Sequence, residues 1–299
     1  MPKLLTAHGI EICYEVIGAD RPGSPILLIM GLGAQMIMWP DPFCEMLAAR
    51  GHPVIRFDNR DSGGSSRLDH LGSPSLWRTG LSMAVGRPVR APYPLLDLAR
   101  DSVALLDGLG IAAAHVVGIS MGAMIAQLMA IHHAGRVRTL VSMMSGTGNR
   151  RTALPRPGMA LRLMRRPKPR REAYIEFLVG KMRLFNGPHY GLDEDRLREV
   201  AGRVFDRGLS PGGFNRQVAA VYAAPDRRES LARLRVPTLV IHGTADPLIR
   251  PAAGRETAET IPGARLLMIE GMGHYLPPAL WPRIAGAIAE HVARGAGPS

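Results

Sequence analysis

The stretch VVGISMGAMIA, residues 116–126, decides the fold of this 299-residue chain. The stretch begins with β-branched residues and ends with residues rich in alanine and methionine. Ser120 lies between Gly118 and Gly122. Two glycines at this spacing are typical of a sharp reversal from strand to helix, because no Cβ fits where the turn presses on its neighbours. The Ser120 hydroxyl is then held at the carboxyl end of a strand, beside a helix N-terminus that favours negative charge. We therefore expect Ser120 to be a nucleophile.

A serine hydroxyl is a weak nucleophile at neutral pH, so it needs a base that takes its proton and a carboxylate that orients the base. Two later strand-like runs are followed by loops that carry such residues. Asp246 lies in the loop after TLVIH, and His274 lies in the loop after RLLMIE. The chain order Ser120, Asp246, His274 is the order used by serine hydrolases built on an open parallel sheet. The sequence therefore predicts these three residues as a catalytic triad.

Acyl transfer also needs hydrogen-bond donors for the oxyanion that develops on the substrate. We expect these donors to be the backbone N–H groups of Met121, which follows the nucleophile, and of Leu32, in the loop after the third strand. The glycines of that loop are not a dinucleotide fingerprint, because the third glycine position holds Met36. The residues that we expect to line the substrate pocket are Gly31, Trp39, Phe177, Phe214, Tyr222 and Tyr275.

Short β-branched runs alternate with longer helical patterns along the chain, which is typical of βαβ units on a parallel sheet. The predicted strands are 4–6, 10–17, 26–30, 54–57, 115–117, 139–142, 238–242 and 265–269. The predicted helices are 42–50, 96–109, 121–133, 252–260 and 280–293. The first two strands alternate with polar residues, as expected of an antiparallel edge. The fold class is therefore α/β, with an eight-stranded, mostly parallel sheet flanked by helices.

This rhythm breaks between residues 147 and 231, where proline and arginine cluster. Three amphipathic helical patterns appear there, at 171–184, 193–206 and 213–222. We therefore predict a helical lid over 147–231, inserted into a core made of 1–146 and 232–299. The segment 72–94, rich in glycine, proline and arginine, either overhangs the site or is a surface loop, and we favour the loop.

The net charge of +12 raises the question of an anionic partner. Almost all basic residues are arginine, and they are spread along the chain. Only residues 150–171 concentrate charge, with nine basic residues and no acid. We read this pattern as a compositional bias and expect no nucleic-acid partner.

No run reaches the roughly 18 apolar residues of a membrane-spanning helix. The start, MPKLLTAHGIEICYEV, alternates like a strand and has no signal-peptide core. We expect a cytoplasmic protein without stable membrane insertion, as a monomer or homodimer. The two cysteines are not in CxxC spacing and no HExxH motif occurs, so we expect no metal site.

Over roughly residues 23–148 and 227–294 the sequence resembles the α/β-hydrolase superfamily, through GISMG, TADP and GMGH around the three predicted catalytic residues. The region around Met30 and Arg60-Asp61 resembles more narrowly the aclacinomycin methylesterase-like bacterial carboxylesterases. In that branch a methionine precedes the oxyanion glycine and Arg-Asp follows the fourth strand. The resemblance implies hydrolysis of small to medium neutral esters, including methyl esters, through an acyl-serine and without a cofactor.

Several other activities use the same scaffold. Amidases, iminopeptidases, lactonases, perhydrolases and carbon–carbon hydrolases are alternatives within the serine enzymes, whereas dehalogenases and epoxide hydrolases normally use an aspartate nucleophile. A catalytically silent ligand-binding protein would also keep the fold, but it would have no need of a base or an orienting acid. The sequence therefore predicts a carboxylesterase acting on a small-molecule ester.

Overall fold

Eight strands form a single sheet in the computed structural model, which describes residues 1–153, 159 and 170–295. The strands are β1 (Lys3–Leu5), β2 (Glu11–Ile17), β3 (Ile26–Ile29), β4 (Val54–Phe57), β5 (Ala114–Ile119), β6 (Val137–Met143), β7 (Thr238–Gly243) and β8 (Arg265–Ile269). Their spatial order is β1-β2-β4-β3-β5-β6-β7-β8. β2 pairs antiparallel with both β1 and β4, and every other pairing is parallel. The predicted sheet and its antiparallel edge are confirmed.

The centre of the sheet is buried on both faces. β3 lies between β4 and β5, and all four of its residues are buried. Leu27 and Ile29 join the hydrophobic cluster on one face, and Ile26 and Leu28 join the cluster on the other. This two-residue period explains why a central parallel strand reads as a continuous apolar run.

Helices cover both faces of the sheet and continue into the lid. They are α1 (Asp41–Ala48), α2 (Leu76–Ala84), α3 (Leu95–Gly108), α4 (Met121–His132), α5 (Arg150–Ala153), α6 (Arg171–Phe185), α7 (Glu194–Asp206), α8 (Pro211–Ala223), α9 (Arg228–Leu231), α10 (Pro251–Thr260) and α11 (Trp281–Gly295). α3, α4 and α10 contribute to the cluster on one face, and α1 and α11 to the cluster on the other.

The region between β6 and β7 contains the three predicted lid helices as α6, α7 and α8. Side-chain caps fix two of their starts, because Asp193 accepts the N–H of Arg196 and Ser210 accepts the N–H of Gly213. The extent 147–231 remains our prediction for the lid. Most of the basic segment 150–171 lies outside the described residues.

The expectation of a loop over 72–94 is wrong in part, because α2 occupies its middle. Ser75 caps this helix by accepting the N–H of Arg78, and Thr79 is buried on its inner side. All the prolines of this segment, and all its glycines except Gly80, lie outside the helix on its two sides. The composition of the whole segment therefore hid a short amphipathic helix.

Candidate active site

Ser120 lies on a tight turn between β5 and α4. It adopts φ 56° and ψ −118°, a conformation that residues with a side chain rarely take. A Cβ on Gly118 would lie 2.2 Å from the carbonyl oxygen of Gly122, and one on Gly122 would lie 2.1 Å from that of Ile29. Only glycine fits at either position, so the two glycines allow the turn that displays the serine.

The structure brings Ser120, His274 and Asp246 together from three different loops. The Ser120 Oγ lies 3.0 Å from His274 Nε2, and His274 Nδ1 lies 2.7 Å from Asp246 Oδ2. Ser120 and His274 are half-buried, while Asp246 is fully buried. A hydroxyl, an imidazole and a carboxylate therefore form one continuous hydrogen-bonded chain.

The Asp246 carboxylate is held by its own loop and by a second histidine. Its Oδ1 accepts the backbone N–H groups of Leu248 and Ile249, each at 2.8 Å. Burial alone would raise the pKa of this carboxyl, but His274 and His242 beside it lower the pKa well below its usual range. Asp246 is therefore negatively charged at neutral pH.

A second histidine, His242 of β7, lies beside the Asp246 carboxylate. Its Nε2 lies 2.9 Å from the carbonyl oxygen of Ile249 and 3.4 Å from Asp246 Oδ2. The His242 ring is fully buried, and it packs against the carboxylate that accepts the hydrogen bond from His274. Nothing in the sequence separates this residue from an ordinary core histidine, because the contact forms only when the loop after β7 folds back.

A turn of the lid positions the loop that carries His274. The N–H of His274 donates to the carbonyl of Phe185 at 2.6 Å, and the N–H of Gly273 donates to that of Asn186 at 3.0 Å. The Phe185 ring meets the His274 ring edge-on, with centroids 5.8 Å apart. The Lys181 ammonium lies 5.6 Å from the Phe185 centroid, and burial lowers the pKa of Lys181.

The loop after β3 approaches Ser120 closely. A Cβ on Gly31 would lie 3.3 Å from the Cβ of Ser120, so the peptide that joins Gly31 to Leu32 is adjacent to the serine. In the described part of the chain, the N–H groups of Leu32 and Met121 have no protein acceptor in a turn, loop or cap. Both N–H groups therefore remain the predicted donors of an oxyanion hole.

Side chains from β4's end and from the lid hold this loop in place. Asn59 donates to the carbonyl of Met30 at 3.0 Å, and Gln217 of α8 accepts the N–H of Gly33 at 2.8 Å. Phe214, one of the predicted pocket residues, packs its ring on Gly33, where an added Cβ would come within 2.5 Å. The lid helix α8 therefore contacts the loop that carries Leu32, the first predicted oxyanion donor.

The other predicted pocket residues occupy different surroundings. Tyr275 is buried in a lid cluster with Phe185, and Phe177 is half-buried on α6. Tyr222 lines a surface cleft of about 470 Å³ together with residues 86–89. Trp39 is a correction, because its fully buried ring stacks on Phe43 in the core and leaves no surface for a substrate.

Within residues 1–153, 159 and 170–295, no helix is both long enough and apolar enough to cross a bilayer. In the same part of the chain, His, Cys, Asp and Glu side chains form no group of three or more that could hold a metal ion. Both cysteines are buried free thiols, and burial raises the pKa of Cys44 to about 12. A thiol that stays protonated is a poor nucleophile, so Cys44 is a packing residue.

The fold agrees with comparisons to known proteins. A model of the α/β-hydrolase fold family matches residues 24–277, and the chain belongs to that family. Among similar curated proteins, the rhodomycin D methylesterases DauP of a Streptomyces strain and DnrP of Streptomyces peucetius are 34% and 33% identical to it. Both alignments cover 97% of this chain and 97% of the relative. The predicted superfamily and the narrower resemblance are confirmed.

Solved structures give the same fold. The enol-lactonase of Burkholderia xenovorans superposes with a TM-score of 0.71 at 24% identity, covering 99% of this chain and all of that chain. A thermophilic esterase of Thermogutta terrifontis superposes with a TM-score of 0.67 at 24% identity, covering 98% of each chain. At this identity the likeness concerns the fold alone.

Proposed function

We propose that this protein is a serine carboxylesterase that works through Ser120, His274 and Asp246. The observation that carries the proposal is the hydrogen-bonded chain from the Ser120 hydroxyl through the His274 ring to the Asp246 carboxylate. Neutral His274 takes the serine proton at Nε2 as Ser120 Oγ attacks the ester carbonyl carbon. Asp246 accepts the Nδ1–H and stabilises the imidazolium that forms.

The remaining steps release the alcohol and the acid and restore the protonation states of Ser120 and His274. The ester C–O bond breaks, His274 gives its proton to the departing alcohol, and the acyl group stays on Ser120. Water then attacks the acyl carbon while His274 takes its proton, and the same proton returns to Ser120 as the acid leaves. The net reaction converts an ester and water into an acid and an alcohol, and none of these steps needs a cofactor.

The oxyanion of each tetrahedral intermediate is proposed to lie between the N–H groups of Leu32 and Met121. Met121 is the first residue of α4, whose N-terminal end favours negative charge. The Gln217–Gly33 and Asn59–Met30 hydrogen bonds fix the other side of the hole before substrate arrives. Donors that are already in place stabilise the intermediate without reorganisation.

We propose methyl esters of bulky, neutral apolar acids as the preferred substrate class. Two relatives that match nearly the whole chain are named methylesterases, and they are a third identical to it. Phe185 and Phe214 bring apolar rings to the His274 loop and to the oxyanion loop. Apolar walls of this kind favour a neutral acyl body, and a small alcohol leaves space for water to enter afterwards.

The test compares three derivatives of one bulky aromatic carboxylic acid: its methyl ester, its hexadecyl ester and its N-methylamide. We expect the highest kcat/KM for the methyl ester, a lower value for the long ester and the lowest for the amide. The Ser120→Ala variant is the control for hydrolysis that does not depend on the proposed site. Equal or faster cleavage of the amide would contradict the assignment as an esterase.

A further inference from the structure

Helix α2 presents an apolar stripe to solvent. Trp77, Leu81 and Val85 are spaced four residues apart, so they lie on one side of the helix and its C-terminal cap. Their exposed fractions are 77%, 61% and 58%. Single exposed apolar residues are ordinary, but an aligned row that contains a tryptophan marks an interaction surface.

The same segment carries only positive charge. Arg78, Arg87 and Arg90 are exposed, and none of them has an ion pair among the described residues. No aspartate or glutamate occurs between Asp69 and Asp97, and the residues outside the described part contain no acidic side chain either. The three guanidinium groups are therefore free to meet anions from outside the chain.

The opposite side of this segment is fixed to the lid. Asn215 of α8 donates to the Ser73 hydroxyl at 2.9 Å, and Arg216 donates to the carbonyl of Gly72 at 2.6 Å. Thr79, on the inner side of α2, is buried. The apolar stripe therefore faces away from the body of the protein and is held by the helix that contacts the oxyanion loop.

We propose that the α2 surface, defined by Trp77, Leu81, Val85 and the flanking Arg78, Arg87 and Arg90, adsorbs to bilayers with anionic lipid headgroups. An apolar row that includes tryptophan, flanked by arginine, is the composition of helices that lie in the membrane interface. The aromatic ring and the aliphatic side chains enter the acyl boundary, while the guanidinium groups meet phosphate oxygens. Adsorption needs no spanning helix and agrees with the finding that none is present in the described part.

Charge argues against a second copy of the chain as the occupant of this surface. A two-fold dimer brings the same patch from both subunits together. Such a dimer would bring the arginines of the α2 surface close to the same arginines of the other copy. No aspartate or glutamate in 70–96 could neutralise their repulsion. An anionic bilayer supplies the missing negative charge. It would also bring the lid close to the phase in which apolar esters dissolve.

The first experiment mixes the full chain with vesicles of phosphatidylcholine and phosphatidylglycerol in equal parts, and with pure phosphatidylcholine vesicles. We expect sedimentation with the anionic vesicles, a blue shift of tryptophan emission, and release as salt screens the charges. The emission reports on Trp77, because Trp39 and Trp281 are buried. No binding to anionic vesicles, or equal and salt-independent binding to both kinds, would overturn the proposal.

The second experiment uses a matched pair of variants. Leu81→Ser should lower the vesicle partition coefficient about tenfold, since an apolar side chain leaves the acyl boundary. Arg87→Gln should lower it about fivefold. Leu5→Ser makes the same leucine-to-serine change at a 71% exposed position on β1. This control should leave the vesicle partition coefficient unchanged. Circular dichroism and turnover of a water-soluble ester should match the wild type in all three.

Two outcomes would overturn the assignment of this surface. An equal loss of binding in Leu81→Ser and Leu5→Ser would show that α2 has no special part in adsorption. A wild-type dimer in sedimentation equilibrium that Leu81→Ser dissociates, without vesicle binding by either, would assign the stripe to a second copy. Because the vesicle assay does not use ester turnover, its result is independent of the proposed function.

Discussion

Ser120, which carries the proposed nucleophilic hydroxyl, adopts an unfavourable backbone conformation. Positive φ at a residue other than glycine costs on the order of 1–3 kcal/mol. Hydrogen bonds to both backbone groups hold it there: the Ser120 N–H donates to the carbonyl of Met143, and the Ser120 carbonyl accepts the Ser145 hydroxyl as well as N–H groups of α4. These contacts hold Ser120 in a strained conformation in which its side chain is directed toward His274.

This strain predicts a difference between two inactive variants. Ser120→Gly and Ser120→Ala both remove the hydroxyl, but only glycine adopts φ 56° without a steric cost. We expect the glycine variant to be more stable than the alanine variant by about 1 kcal/mol. Urea unfolding of both proteins measures the difference, and a more stable alanine variant would show that the turn is relaxed.

The Asp246 carboxylate fixes the tautomer of His274, and this role also predicts a variant phenotype. Asparagine keeps the size of the side chain but loses the charge, and its amide group allows the wrong ring tautomer. We expect Asp246→Asn to lower kcat by about 10⁴-fold with a similar KM. Circular dichroism is the control for folding. A variant with near-wild-type kcat would remove Asp246 from the mechanism.

Among the helices and loops, one ion pair couples the lid to the core. Arg216 of α8 donates from Nε at 2.9 Å and from Nη2 at 2.6 Å to the carboxylate of Asp61 in the loop after β4. Tyr93 donates to the same carboxylate. Burial raises the pKa of Asp61, but these partners outweigh it and lower the pKa overall. A lid helix and two core loops therefore meet at one anion.

Removing the Arg216 guanidinium should destabilise the protein strongly. Arg216→Met leaves the Asp61 carboxylate buried without its main partner, so we expect a loss of about 3–5 kcal/mol in the free energy of unfolding. Arg233→Met is the matched control, because Arg233 pairs with Glu229 in full exposure and should change by less than about 1 kcal/mol. Equal effects of the two substitutions would mean that Asp61 is stabilised by other groups.

The elements that could be predicted from the sequence are those that a short local pattern marks off from turn residues. β4 and β8 begin and end at the predicted residues because each is a short, mostly apolar run between turn residues. The chain order of serine, aspartate and histidine located the candidate site for the same reason, since each residue follows a strand. α2 was missed because its flanking glycines and prolines dominate the composition of 72–94.

Contacts between distant parts of the chain could not be predicted. Gln217 binds Gly33 across 184 positions, and His242 meets Asp246 only through a folded loop. Trp39 has the composition of a pocket residue, but the position of α1 decides that it packs in the core. Such assignments depend on how elements pack together, which the period of a pattern does not determine.

In the whole molecule, a buried histidine makes stability depend on pH. His115 of β5 is almost fully buried and shares a hydrogen bond with Thr139 at 3.0 Å. Burial lowers its pKa to about 4, helped by the nearby charges of His52 and Arg138. The unfolded chain, with an ordinary histidine pKa of about 6.5, binds a proton in this range while the native protein does not. Stability contributed by the neutral ring is therefore lost as pH falls from about 6.5 toward 4.

We expect the free energy of unfolding to fall by about 2 kcal/mol from this residue alone between about pH 7 and pH 4.5. His115→Gln keeps a polar side chain beside Thr139 but has no proton to bind, so its stability should fall less over the same range. Urea unfolding at both pH values measures the two slopes. Parallel slopes in the wild type and the variant would contradict the assignment.

The central claim is that ester hydrolysis proceeds through a covalent intermediate on Ser120, and labelling with a fluorophosphonate tests it most directly. Peptide mass spectrometry should find one adduct per chain on Ser120, and the label should abolish ester turnover. Ser120→Ala should take up no label and should lose kcat by about 10⁶-fold. An adduct on another residue, or turnover that survives in Ser120→Ala, would contradict the account.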